Sequence, residues 1–265
     1  YNYIAPASLF DFWSIFTNKN LGAGNLAGHC NIFLAETTDR MKKPFVAKIS
    51  VDVESAAVLK QEYRVLEHIH KYDNEFVIKP NELVENYDNN GNHIMILERG
   101  ETDNGDLNKI FKGRHLNSLG ANHLINIAKN LLEIGSSLAK AGIVWGDVKP
   151  GNFVAFREFQ GTIYKAIDFD SSRQNDGLGA SLRGRPTFLS TVFAAGDAAD
   201  DSMVTPGYIS PERAAAIQNK RNITADSRQD VFVIGLIIYQ LFAKRSYFTL
   251  EKIQDESYLT ALISN

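Results

Sequence analysis

The chain has 265 residues, enough for one large domain or two lobes with a real core, and its 44% apolar and 22% charged content excludes wholesale disorder. A net charge of −3 gives no whole-chain attraction to nucleic acid or to anionic lipid, so neither is expected as a partner. The single cysteine, Cys30, excludes an internal disulfide and fits the cytoplasm or another reducing intracellular compartment. The longest apolar run, VFVIGLIIYQLFA, is too short to cross a bilayer and reads as a buried helix. The start at Tyr1, without methionine or a signal-peptide pattern, reads as a fragment of something longer.

Taken in chain order, the first hundred residues are strand-rich with one helix. LGAGNLAGH (21–29) is a glycine-rich turn between two strand-like stretches, where backbone N–H groups can cover phosphates. FVAKI (45–49) is a short apolar strand interrupted by Lys48. Val58, Glu62, Val65, Leu66 and Ile69 then recur at helical spacing, with a carboxylate inside the apolar stripe. Residues 82–98 read as a hairpin whose Asn90-Gly91 supplies the positive φ angles of a type I′ turn. From about residue 105 the pattern turns helical. Leu124, Ile127, Leu131, Ile134 and Leu138 mark an amphipathic helix capped by Gly142. Two short strands follow around 153–156 and 164–167, then a long polar loop, then the apolar helix at 230–243. A β-rich half joined near 98–105 to an α-rich half suggests two lobes, 1–98 and 99–265, with a cleft between them.

Several polar residues stand where bland structural roles do not account for them. Lys48 and Glu62, each set in an apolar pattern, can satisfy one another and leave an ammonium facing an anion; Glu54 and Glu67 are rival partners that fall less well on the stripe. Asp147, Lys149 and Asn152 crowd one loop held by Pro150, and Asp168 follows a short apolar strand in AIDFD. Asp147 is spaced to accept or orient a hydroxyl proton, and Lys149 to offset charge on a transferring phosphoryl group. Two carboxylates and an amide oxygen converging on one point suit Mg2+, a hard cation that prefers oxygen.

In this order and spacing, Lys48, Glu62, Asp147, Lys149, Asn152 and Asp168 resemble the protein-kinase family, from about Ile15 to the chain's end. GDVKPGN alone is equally similar to the loop of small-molecule phosphotransferases sharing that fold. Lys149 and Thr205, with the helix DVFVIGLIIYQL (230–241), follow the serine/threonine-kinase pattern instead. VTPGYISPER resembles the end of a kinase activation segment, here 168–212. The resemblance implies an α+β bilobal kinase-like fold, a β-rich N-lobe with one main helix and a mostly helical C-lobe. It implies ATP and Mg2+ as cofactors and a protein substrate, with Asp147, Lys149 and Thr205 catalytic and Asn152 and Asp168 on the metal. For the nucleotide it implies Gly22, Gly24 and Gly28 over the phosphates, and Lys48 paired with Glu62. Cys30, Ala47 and Val154 would lie around adenine, with the backbone of Glu98–Gly100 at its edge.

The chain departs from that pattern at five places. The usual His-Arg-Asp is Trp145-Gly146-Asp147, which removes the arginine that clamps a phosphorylated activation loop and leaves Trp145 a packing role against Phe169. The usual Asp-Phe-Gly is Asp168-Phe169-Asp170, and because glycine tolerates backbone angles that aspartate visits only at some cost, this loop is expected to flip less freely. Gly22, Gly24 and Gly28 are spaced one residue wider than usual, and the stretch from Asp168 to Glu212 is longer than usual. The last C-lobe helices and the arginine that pairs with Glu212 are not recognisable. The expectation is a serine/threonine kinase domain; a nucleotide-binding pseudokinase and a small-molecule phosphotransferase are the competitors. Substrate consensus and oligomeric state are not encoded in any motif.

Overall fold

The computed structural model describes residues 12–23, 30–72, 75–101, 105–112, 115–159, 161–174, 207–219, 225–245 and 247. Five strands rich in β-branched and aromatic residues open the chain: β1 (Trp13–Ala23), β2 (Cys30–Thr37), β3 (Pro44–Ser50), β4 (Pro80–Val84) and β5 (Ile94–Glu98). They pair antiparallel in the order β1-β2-β3-β5-β4. Because successive side chains point to opposite faces, Phe45, Ala47 and Ile49 of β3 enter one cluster with Phe33, Ala35, Ile94 and Ile96. Val46 and Lys48 lie on the other face, opposite Leu34 and Ile32 of β2 and Leu97 and Met95 of β5. Helix α1 (Val53–Ile69) starts at a capping box, in which Asp52 accepts from the Ser55 N–H while Ser55 reaches back to the Asp52 N–H. It buries Leu59, Glu62, Val65, Leu66 and Ile69.

The connection from β4 to β5 is longer than the two-residue turn expected at Asn90-Gly91. Positive φ falls at Asn86, Asn89 and Gly91, and the Asp88 carboxylate collects the N–H groups of Asn90 and Asn92. Local Asx hydrogen bonding, with Asp88 and Asn86 accepting backbone N–H groups, outcompetes the tight type I′ geometry.

The second compact unit begins at Gly100 and also takes in Glu75–Val77, which is absent from any sequence pattern. Phe76 accepts a backbone hydrogen bond from Ala166, and Val77 bridges Ala166 in parallel, so this short segment extends the small sheet of β7 and β8. The elements are α2 (Leu107–Lys112), α3 (His115–Ser118), α4 (Ala121–Ala141), β6 (Ile143–Val144), a 3-10 turn at Pro150–Asn152, β7 (Phe153–Glu158), β8 (Gly161–Ala166), β9 (Arg173–Gln174), α5 (Pro211–Gln218) and α6 (Ser227–Ala243). Helix α4 buries its stripe Leu124, Ile127, Leu131, Ile134 and Leu138 and packs on α6. At Gly135 a Cβ would come within 3.1 Å of Ile234 Cδ1, so the missing side chain permits that approach. The fold is α+β, with an antiparallel sheet and one main helix in the first unit and mainly helices in the second.

Candidate active site

In the first unit, Lys48 Nζ donates to Glu62 Oε2 at 2.8 Å, with side chains 11% and 2% exposed. Strand alternation carries Lys48 out of the core cluster and helix periodicity carries Glu62 onto the buried face of α1, so each finds its charge partner. Glu54 and Glu67 are exposed. Ala47 requires a correction. It is fully buried in the opposite face of the sheet, in the cluster with Phe33 and Ile96, and so cannot share a surface with Lys48. The residue that does share that face is the half-buried Val46, together with Cys30 at the start of β2. The error came from matching VAK by residue type, whereas the period of two selects Val46.

At the edge of β5, the Glu98 N–H donates to the Lys79 carbonyl while Glu98 Oε1 accepts from the Lys79 N–H. In the second unit, a Cβ on Gly100 would lie 2.5 Å from Val154 Cγ1, so no side chain fits there. Glu101 then donates to the Ala155 carbonyl at 2.8 Å, laying this segment on β7. Gly22 belongs to β1, opposite Ile32. Gly24, Gly28 and Thr205 lie outside the described residues.

The loop carrying Asp147 is built from its backbone outward. Helix α4 stops at Gly142, whose φ of 69° suits glycine, and β6 leads to Trp145 and to Gly146 with φ 81°. The N–H groups of Trp145 and Gly146 donate to the two carboxylate oxygens of Asp230 on α6, at 2.6 and 3.0 Å. Burial pushes the Asp230 carboxyl up to about 6, against the pull of those two N–H groups and of the Arg213 charge. Asp147 Oδ2 accepts from Lys149 Nζ at 2.6 Å and from Asn152 Nδ2 at 3.0 Å, and Asn152 Nδ2 also reaches the Asp147 carbonyl at 2.9 Å. Pro150 starts the 3-10 turn that seats Asn152, which is buried.

Asn152 is tied to the second acidic position through the backbone, because its carbonyl accepts from the Ile167 N–H at 3.0 Å. Asp168 itself has φ 64°, a left-handed conformation that aspartate tolerates better than most residues. Trp145 holds that conformation from two sides. Its Nε1 donates to the Asp168 carbonyl at 2.7 Å, and its indole stacks on Phe169 with centroids 5.2 Å apart and planes at 14°. Trp145, Phe153 and Phe169 are among the largest fully buried side chains. Trp145 is therefore more than the packing residue the sequence suggests, although the indole N–H was a legible donor. Among the described non-glycine residues Asp168 has positive φ and Asp170 does not. The Asp170 carboxylate accepts from Ser171 Oγ at 3.0 Å.

With Nδ2 engaged on Asp147, Asn152 has Oδ1 as the atom able to ligate a cation, and Asp168 adds carboxylate oxygen. Among the described residues no group of three or more His, Cys, Asp or Glu could hold a metal by itself. Two hard oxygen donors fit Mg2+, which keeps waters and takes substrate phosphates rather than an all-protein cage.

A family model described as the protein kinase domain matches residues 16–263. This chain belongs to the protein kinase family. Kinases as a family use ATP and Mg2+ for phosphoryl transfer. Among individual relatives, the serine/threonine-protein kinase pkn3 of Myxococcus xanthus is 27% identical over 164 residues, covering 58% of this chain. Those residues are 27% of that relative, so the chain spans about a quarter of its length. Among the described residues, no helix of this kinase domain is long and apolar enough to cross a membrane.

Proposed function

We propose that this kinase domain transfers the γ-phosphoryl group of ATP to a serine or threonine hydroxyl of a protein substrate. The observation that carries this reading is the loop in which Asp147 is held by Lys149 and Asn152, with Asn152 hydrogen-bonded through its backbone to the residue before Asp168. In this reading Asp147 orients the attacking hydroxyl and takes its proton, and Thr205 keeps the catalytic role that the kinase resemblance implies. Lys149 turns from Asp147 to the transferring group. Asn152 Oδ1 and the Asp168 carboxylate would hold Mg2+, whose charge would neutralise that of the phosphates. Lys48, oriented by Glu62, binds phosphate oxygens, and the stretch with Gly22, Gly24 and Gly28 keeps the phosphate-covering role that the resemblance implies. Cys30, Val46 and Val154 contact the adenine, with the Glu98–Gly100 backbone at its edge. Catalysis of this kind is positioning and electrostatic stabilisation, which a pre-formed hydrogen-bonded loop supplies.

The test is labelled ATP with Mg2+ and the full-length protein, offered generic protein substrates and a panel of small alcohols and aminoglycosides. Label on protein serine or threonine is the expected result. Label on the small molecules would make the chain a metabolite phosphotransferase, and no label with retained nucleotide binding would make it a pseudokinase. Asp147→Asn should lower kcat by about a hundred- to ten-thousand-fold, the range for removing a positioned acid–base group. Asp168→Asn should also weaken Mg2+-dependent nucleotide binding. Near-wild-type transfer by either variant would sink the assignment.

A further inference from the structure

Gly146 stands where the resemblance puts an arginine, and its geometry disfavours a side chain. With φ at 81°, a Cβ there would be strained and would lie 3.0 Å from the Ser171 carbonyl oxygen. The same Cβ would lie 4.0 Å from Arg213 Nη1, so a guanidinium from another element already occupies that neighbourhood. Arg213 is a half-buried residue of α5, two positions past the Pro211 that opens the helix. Its Nη1 donates to the Gly146 carbonyl. The N–H of the same residue goes the other way, to Asp230 Oδ1 on α6. Gly146 is thus gripped at both ends, by a cation from α5 and an anion from α6, directly before Asp147.

We infer that Arg213 is a positioning residue of the catalytic loop, supplying from the helix that ends the activation segment the cation that position 146 does not carry. An uncapped carbonyl beside a buried carboxylate is electrostatically costly, and a guanidinium offsets both with charge-assisted hydrogen bonding. Seating of α5, fixed by the fully buried Ala214, then sets the alignment of Asp147. No phosphate on the activation loop is needed for that. The inference rests on the kinase reading for its catalytic consequence, but the clamp is a property of the folded chain and can be read without turnover.

The experiment compares full-length wild type, Arg213→Met and Arg213→Lys. Methionine keeps an apolar stem against the helix, so α5 retains its seat. Arg213→Met should lower kcat by about ten- to a hundredfold while the KM for ATP stays within about threefold, as expected for loss of alignment rather than of binding. Arg213→Lys should restore part of it. An unchanged kcat in Arg213→Met would overturn the inference. So would a fall in which kcat, KM and melting temperature move together and lysine restores nothing, since that is a structural role. If wild type transfers no label, the kinase reading fails and a second readout decides. The chain has two tryptophans, so a Trp13→Phe background isolates Trp145. Acrylamide quenching of Trp145 should rise in Arg213→Met and return with Arg213→Lys; equal quenching in all three overturns the clamp.

Discussion

In the sheet unit two side chains, Lys48 and Glu62, meet at 2.8 Å with little access to water. In the helical unit Asp147 sits on a loop held mostly through its backbone: Asp230 takes two N–H groups, Arg213 caps a carbonyl, and Trp145 anchors the Asp168 carbonyl. The two regions therefore tolerate change differently. A buried ion pair loses its logic when one member goes, because the other is left as an unpaired charge. A backbone mesh asks only that some donor or acceptor reach each peptide group. That is how Trp145-Gly146 can stand for the usual His-Arg while every peptide contact described above remains made.

Breaking the side-chain pair should produce the largest effect on stability. Glu62→Leu should cost about 3–5 kcal/mol in urea unfolding, and the double variant Lys48→Met/Glu62→Leu should recover most of it. A double variant as unstable as the single would show that the pair is not the unit. Asp230 tests the mesh through pH. Its carboxyl lies at about 6 in the folded chain and near 3.8 without burial, so the folded form binds the proton more tightly. The contribution is fully present below about 3.8, is lost as pH rises through about 6, and amounts to something on the order of 3 kcal/mol. Urea midpoints of wild type relative to Asp230→Asn should fall across that window and then level off; a flat difference would contradict the burial argument. Gly146→Ala should cost about 1–2 kcal/mol for its left-handed backbone, with the close approach to Ser171 adding to it, and thermal unfolding measures this. The smallest effect belongs to Trp145→Phe, which keeps an aromatic on Phe169 but loses the bond to the Asp168 carbonyl. About 1 kcal/mol is expected, and a midpoint equal to wild type would reduce Trp145 to packing.

Much of this was legible in residue order. The stripe of α4 and its Gly142 cap follow from spacing alone, and a lysine and a glutamate stranded among apolar neighbours announce a pair. Ala47 was misread because residue type was matched where strand parity decides the face. The turn at Asn90-Gly91 was misread because Asp88 competes for the same N–H groups. Arg213 was invisible: a single arginine after Ser210-Pro211-Glu212 carries no signal until α5 is seen beside Gly146.

The sequence by itself determined the family and its main strands and helices, since hydrophobic period and turn chemistry act between neighbours a few positions apart. Tertiary structure decided where Glu75–Val77 joins a sheet, which aspartate takes the left-handed backbone, and what cation stands beside Gly146. The physical reason is distance along the chain. Hydrophobic period and turn chemistry act locally, whereas the hydrogen bonds that Asp230 accepts from the Trp145 and Gly146 N–H groups and that Arg213 donates to the Gly146 carbonyl depend on helices far downstream packing to fixed positions.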